Sequence, residues 1–83
     1  MEIVATRRTT VKQQLADIAL DISWAKISQR YFGKSSSWIY HKLDGRDGNG
    51  GVTDFTIPER AQLRNALFDF SDRIRRSAEK IEI

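Results

Sequence analysis

Eighty-three residues carry 14 Lys+Arg, 11 Asp+Glu, one His, one Pro and no Cys, for a formal net charge of +3. That is one small domain, near the lower limit at which an apolar core holds without staples. The absence of Cys excludes a disulfide and a thiolate metal site, and a single His argues against a His-rich metal centre or a Ser/His/Asp site. Stability must come from packing, with two Trp, four Phe and two Tyr supplying much of the buried area. No apolar run approaches membrane-spanning length. Met1 to Arg8 lacks the apolar core of a signal peptide. The expectation is a cytoplasmic protein with no membrane partner.

Helical signals dominate the chain. Thr9 or Thr10 caps a first helix, in which Val11, Leu15, Ile18 and Ile22 recur on one face. Ser23 opens a short second helix through Trp24, Ile27, Tyr31 and Phe32. Gly33 ends it, because a left-handed C-cap is cheapest as Gly. Ser35 caps a third helix with Trp38, Ile39 and Leu43 apolar, and Gly45 closes that one. Residues 44–55 then form a Gly-rich loop. Val52 to Phe55 alternates in polarity but has no partner strand.

The last helix has the clearest start. Thr56-Ile57-Pro58-Glu59 has capping-box spacing, with Pro in the first turn. The helix predicted over about 57–80 is roughly 35 Å long at ~1.5 Å per residue. Leu63, Leu67, Phe70, Ile74, Ala78 and Ile81 run down one face, and the first four are expected to close the core. The fold class is all-α: a single four-helix domain over residues 1–83, with its helix pair at about 23–45.

The positive excess is local. Residues 23–43 carry Lys26, Arg30, Lys34 and Lys42 with no acid, whereas residues 44–55 are net acidic. A basic field of that kind favours phosphate, although it also describes an ordinary solvated surface. Residues 23–45 read as helix, Gly turn, helix. Such a unit needs a Gly for the turn and a buried branched residue to lock the pair. It also needs a polar or basic outer face on its second member. Ile39 is placed as the lock. At 100° per residue, Ser37, His41 and Lys34 lie about 140–160° from it, with Trp38 and Tyr40 on the flanks.

Gly33-Lys34-Ser35-Ser36-Ser37-Trp38-Ile39-Tyr40-His41-Lys42-Leu43-Asp44-Gly45 resembles the turn and recognition helix of phage-repressor-like helix-turn-helix proteins (lambda repressor/Cro, XRE-type). Gly33, Ser35, Ile39 and Gly45 carry the likeness. The whole chain is similar to short helix-turn-helix proteins of gut Bacteroidetes and their mobile elements. The resemblance implies base-contacting roles at Ser36, Ser37 and His41, and a phosphate role for the start of the preceding helix. The sequence departs from the family at two places. Gln29 stands four before the turn Gly, where the family has a small residue, and Lys34 follows that Gly, where the family has an apolar one. An altered crossing angle is the expected result.

The function expected is sequence-specific binding of double-stranded DNA, by a small transcriptional regulator or mobile-element control protein. Ser36, Ser37, Tyr40 and His41 would contact bases, and Arg30, Lys34 and Lys42 would contact phosphates. The alternative is a protein-interaction module on the same fold without DNA binding. Trp24 and Trp38 are expected in the core. Arg73, Arg75 and Arg76 read as a solvated face in reach of Asp69, Asp72 and Glu79. Phe68, Ile81 and Ile83 are candidates for a homodimer contact, because the end of the last helix outruns the core. Asp47-Gly48-Asn49-Gly50 lacks the carboxylate ladder of a calcium loop, and Pro58 stands where the closing Glu belongs. Asp44, Asp47 and Asp54 have no base partner. Hence no metal, no cofactor, no small-molecule substrate and no enzyme activity are expected.

Overall fold

A computed structural model describes residues 10–46 and 51–83. Thr9, the N-terminal segment and the Asp47–Gly50 stretch of the loop lie outside the described residues. The fold is all-α. In chain order the helices are α1 (Val11–Gln14), α2 (Trp24–Ile27), α3 (Ser36–Asp44) and α4 (Ile57–Glu79), and α2 runs on into a π-helical turn over Ser28–Phe32. The one extended pairing among the described residues is an isolated antiparallel bridge between Arg46 and Val52.

Each helix start is built by its cap. The Thr10 hydroxyl accepts from the Gln13 amide at 3.1 Å, and the Gln13 side chain accepts from the Thr10 amide at 2.9 Å. Thr56 and Glu59 repeat that reciprocal box at α4, with Pro58 in its first turn. Ser23 and Ser35 cap α2 and α3 by accepting from Lys26 and Trp38. Each satisfied amide is one that the helix leaves without an internal partner.

The first helix is shorter than its periodicity predicts. Only Val11–Gln14 is α-helical, and residues 15–21 descend as successive turns, with Ile18 bonded to Leu15 and Asp21 to Ile18. Asp17 and Asp21 are weak helix formers. The Ala19 carbonyl, which a continued helix would direct at Ser23, instead accepts the Trp24 indole N–H at 2.8 Å. The apolar face survives this change: Val11 is buried, and Leu15, Ile18 and Ile22 pack against the core.

That core joins Val11, Trp24, Ile27, Ile39, Phe55 and Leu63, so every helix and the loop contribute to it. Ile39 is fully buried, as a lock must be. Trp38 is half-buried, its ring 4.9 Å from Phe32 and edge-on to Phe55 at 6.1 Å. Phe55 ties the loop to the core. Along α4, Leu63 and Ala66 are buried and Leu67 and Phe70 pack at the edge. Ile74 does not close the core as expected. It is 54% exposed, because the short helices end before they reach it.

The turn between α2 and α3 resolves the misfit at Gln29. The amides of Gly33 and Lys34 both donate to the Ser28 carbonyl, so the turn is wider than an α-helix by one residue. Ser28 therefore takes the crowded inner position, fully buried, and its hydroxyl donates to the Ser35 carbonyl at 2.7 Å. Gln29 faces solvent. Gly33 sits at φ +64°, in the left-handed region that an L side chain rarely adopts.

Ser28→Val should lower stability by about 1–3 kcal/mol, because it leaves the Ser35 carbonyl without its donor. Gln29→Ala should move it by less than about 0.5 kcal/mol. Thermal melts of the two variants check the assignment; equal shifts would place both side chains in the same environment.

Candidate nucleic-acid interface

Helix α3 sits with Ile39 in the core and its opposite side in solvent. Ser37, His41 and Lys34 are exposed there, and Ser36 is half-buried. Tyr40 is 44% exposed, but it stands on the flank. It lines a hollow of about 170 Å³ with Lys12, Leu15, Ala19 and Trp24. The outer side also carries an acid that its composition did not advertise. Asp44 follows Ser37 by seven residues, two helical turns, and is 3.1 Å from Lys12. Both side chains of that pair are largely exposed, so it adds little stability. It does offset the negative charge at the far end of the face.

Two of the three expected phosphate contacts lie elsewhere. Lys42 turns inward: its Nζ is 3.0 Å from Glu59 Oε1, donates to the Asp54 carbonyl at 2.9 Å and lies 5.8 Å from the Trp38 ring centre. It is thus a tie between α3, the loop and α4, with its charge already spent. Arg30 is exposed but lines a groove against α4, together with Lys26 and Arg73 and no residue of α3. Lys34 alone of the three sits beside the outer face of α3.

Two anchoring groups were missed by sequence reasoning. Tyr31, read only as an apolar member of the second helix, donates its hydroxyl to Asp69 at 2.6 Å and accepts from Arg73 at 3.2 Å. Its carbonyl accepts from the Gln62 amide at 2.9 Å. Arg73 therefore reaches Asp69 through a phenol, and it also lies over the Phe70 ring. The other is Lys42, whose signal was present as a basic residue one turn after Trp38 in a segment without acids. Nothing in the sequence paired it with Glu59.

The candidate dimer residues are all exposed. Phe68 stands midway along α4, whereas Ile81, thirteen positions on, and Ile83 lie past the helix end at Glu79. Phe68 is covered in part by the Arg64 guanidinium, 5.6 Å from its ring centre. The three do not make one patch. Asp54 accepts from Arg60 at 3.2 Å and from its neighbour Phe55, and among the described residues no cluster of His, Asp or Glu suits a metal ion. No helix of the described residues is long and apolar enough to cross a membrane.

The architecture is thus a small all-α domain with a helix–Gly–helix unit braced by a long last helix. Residues 11–81 match the family described as Domain of unknown function (DUF5053), and the chain belongs to that family. No curated protein and no solved structure matches it.

Glu59 links the α4 cap to Lys42. Burial acts to raise its pKa, but the Thr56 amide hydrogen bond and the hydrogen bond and charge of Lys42 outweigh it, and the pKa lies below the ordinary 4.5. A lowered folded pKa gives stability that is fully present above the unfolded value and is lost as pH falls through the folded one. The melting midpoint should therefore drop as pH falls below the ordinary carboxylate range. Glu59→Gln should flatten that dependence while costing about 1–2 kcal/mol at neutral pH. An unchanged acid limb in this variant would dissociate Glu59 from the effect.

Proposed function

We propose that this chain is a sequence-specific double-stranded DNA-binding protein, a small transcriptional regulator or mobile-element control protein. It reads the major groove with the outer face of α3. The observation that supports this most is the composition of that face: Ser37, His41 and Lys34 are exposed on the side opposite the fully buried Ile39. Hydroxyl and imidazole groups donate to and accept from base edges, and an ammonium beside the helix start anchors phosphate. Ser36, half-buried, and Tyr40, on the flank, are adjuncts in this reading. Lys42 is not one of the phosphate contacts, since Glu59 already neutralises it.

The reading has a direct test. Gel shifts with genomic fragments at two salt concentrations should show binding that weakens with salt. Ser37→Ala and His41→Ala should leave the melt unchanged and cost about 1–3 kcal/mol in specific binding. Lys34→Ala should weaken specific and random DNA alike and reduce the salt slope by about one. No binding at low salt, or equal losses for specific and random DNA in the first two variants, overturns this reading. A second reading, an interaction module without DNA binding, draws on the exposed Ile74 of α4 and Ile81 just past its end.

A further inference from the structure

The side of α4 that outruns the core is built like half of an interface. Phe70, Ile74 and Ala78 follow one another at spacings of four along it, and Ile81 comes three residues later, just past the helix end at Glu79. With Arg73 they line a trough of about 380 Å³. Towards the short helices it continues into a second hollow of about 270 Å³, with which it shares Phe70 and Arg73. The floor of that hollow is apolar, from Ile22 and Ile27, and its rim carries Lys26, Arg30 and Arg73. Among the described residues, no carboxylate lines either hollow. The nearest acid in the contacts of Arg73, Asp69, is occupied by the Tyr31 hydroxyl. Lys26, in α2, and Arg30, in the π turn that continues it, are both exposed and both line the second hollow.

We propose that this trough docks an amphipathic helix of a partner protein, with an apolar seam against Phe70, Ile74 and Ile81 and acidic residues facing Lys26, Arg30 and Arg73. Charge complementarity selects that occupant. A phosphate backbone would satisfy the cations but leave three turns of apolar side chains facing a polar ligand. A second copy docked through the same trough brings a lining that holds Arg73 and no described carboxylate, so it offers these cations no acid. From Phe70 to Ala78 the row spans about 12 Å at ~1.5 Å per residue, and Ile81 extends it past the helix end, which suits a docked helix of two to three turns. Its four-and-three spacing offers the ridges and grooves into which another helix packs. This site is independent of the outer face of α3, so a chain bound to DNA through α3 would keep it open.

The test uses the full chain and a displayed library of 18-residue helical peptides. Leu is fixed along one seam and the flanking positions are randomised. The expected result is enrichment of Asp and Glu at the flanks. The selected peptide, made synthetically, should bind at least tenfold more weakly to Lys26→Glu/Arg30→Glu and to Ile74→Ser. The Ser37→Ala/His41→Ala variant should bind it like the parent, which separates this site from the DNA reading. Circular dichroism of each variant confirms that it is folded. Three outcomes overturn the proposal: neutral or basic flanks, no enrichment over the Ile74→Ser chain, or a dimer in sedimentation that Ile74→Ser dissolves.

Discussion

One hydroxyl holds the domain's central angle. Ser28 donates to the carbonyl of Ser35, the residue that itself caps α3, while the Ser28 carbonyl accepts two amides of the turn. Four backbone groups, the carbonyls of Ser28 and Ser35 and the amides of Gly33 and Lys34, thereby find partners around a single small residue. Its size matters as much as its polarity. A fully buried position between two helices has no room for a longer chain. Ile39 can lock α3 onto α2 only because the turn brings the two helices to this distance. Trp24, Ile27 and Leu63 then close around a geometry already set.

A second set of ties fixes this pair to the rest of the chain, and it is polar. Lys42 joins α3 to the loop carbonyl of Asp54 and to Glu59 in the cap of α4, while Tyr31 joins the π turn to Asp69, Arg73 and Gln62. Both ties cross between elements far apart in sequence. In a domain with a small apolar core, such bonds add orientation more than bulk stability, since each is worth only about 1 kcal/mol net. They hold the start of α4 and its midpoint, and beyond Arg73 no such bond joins the helix to another element among the described residues. Ile74 and, past the helix end, Ile81 are exposed there.

Most of the architecture was legible. Thr56, Pro58 and Glu59 marked the start of α4, Ser35 and Gly45 bracketed α3, and Ile39 was identifiable as its buried side, because caps and periodicity are local signals. What failed was non-local. The Val11–Ile22 stripe read as one helix, since its apolar spacing holds equally in a chain of turns; the three-residue backbone bonds and the pairing of Ala19 with the Trp24 indole distinguish them. Ile74 matched the core period of α4, but how far the short helices reach is a matter of tertiary structure. At the candidate site, the exposure of Ser37 and His41 followed from counting around a helix. The fates of Lys42 and Arg30 did not follow, because each depends on what α4 brings alongside.

The π turn carries a consequence for how this chain tolerates changes in length. A π-helical turn is an α-helical one with a residue to spare, and here the spare residue is on the solvent side, at Gln29. Loss of that one residue would let the segment from Trp24 to Gly33 rewind as plain α-helix, with Ser28 then standing four before the glycine instead of five. The inner serine, the left-handed glycine and the entry to α3 would keep their order. In most of a packed helix a deletion rotates every later side chain by about 100° and scrambles the core. Here the wide turn acts as slack, a single stitch that can be dropped without unravelling the row.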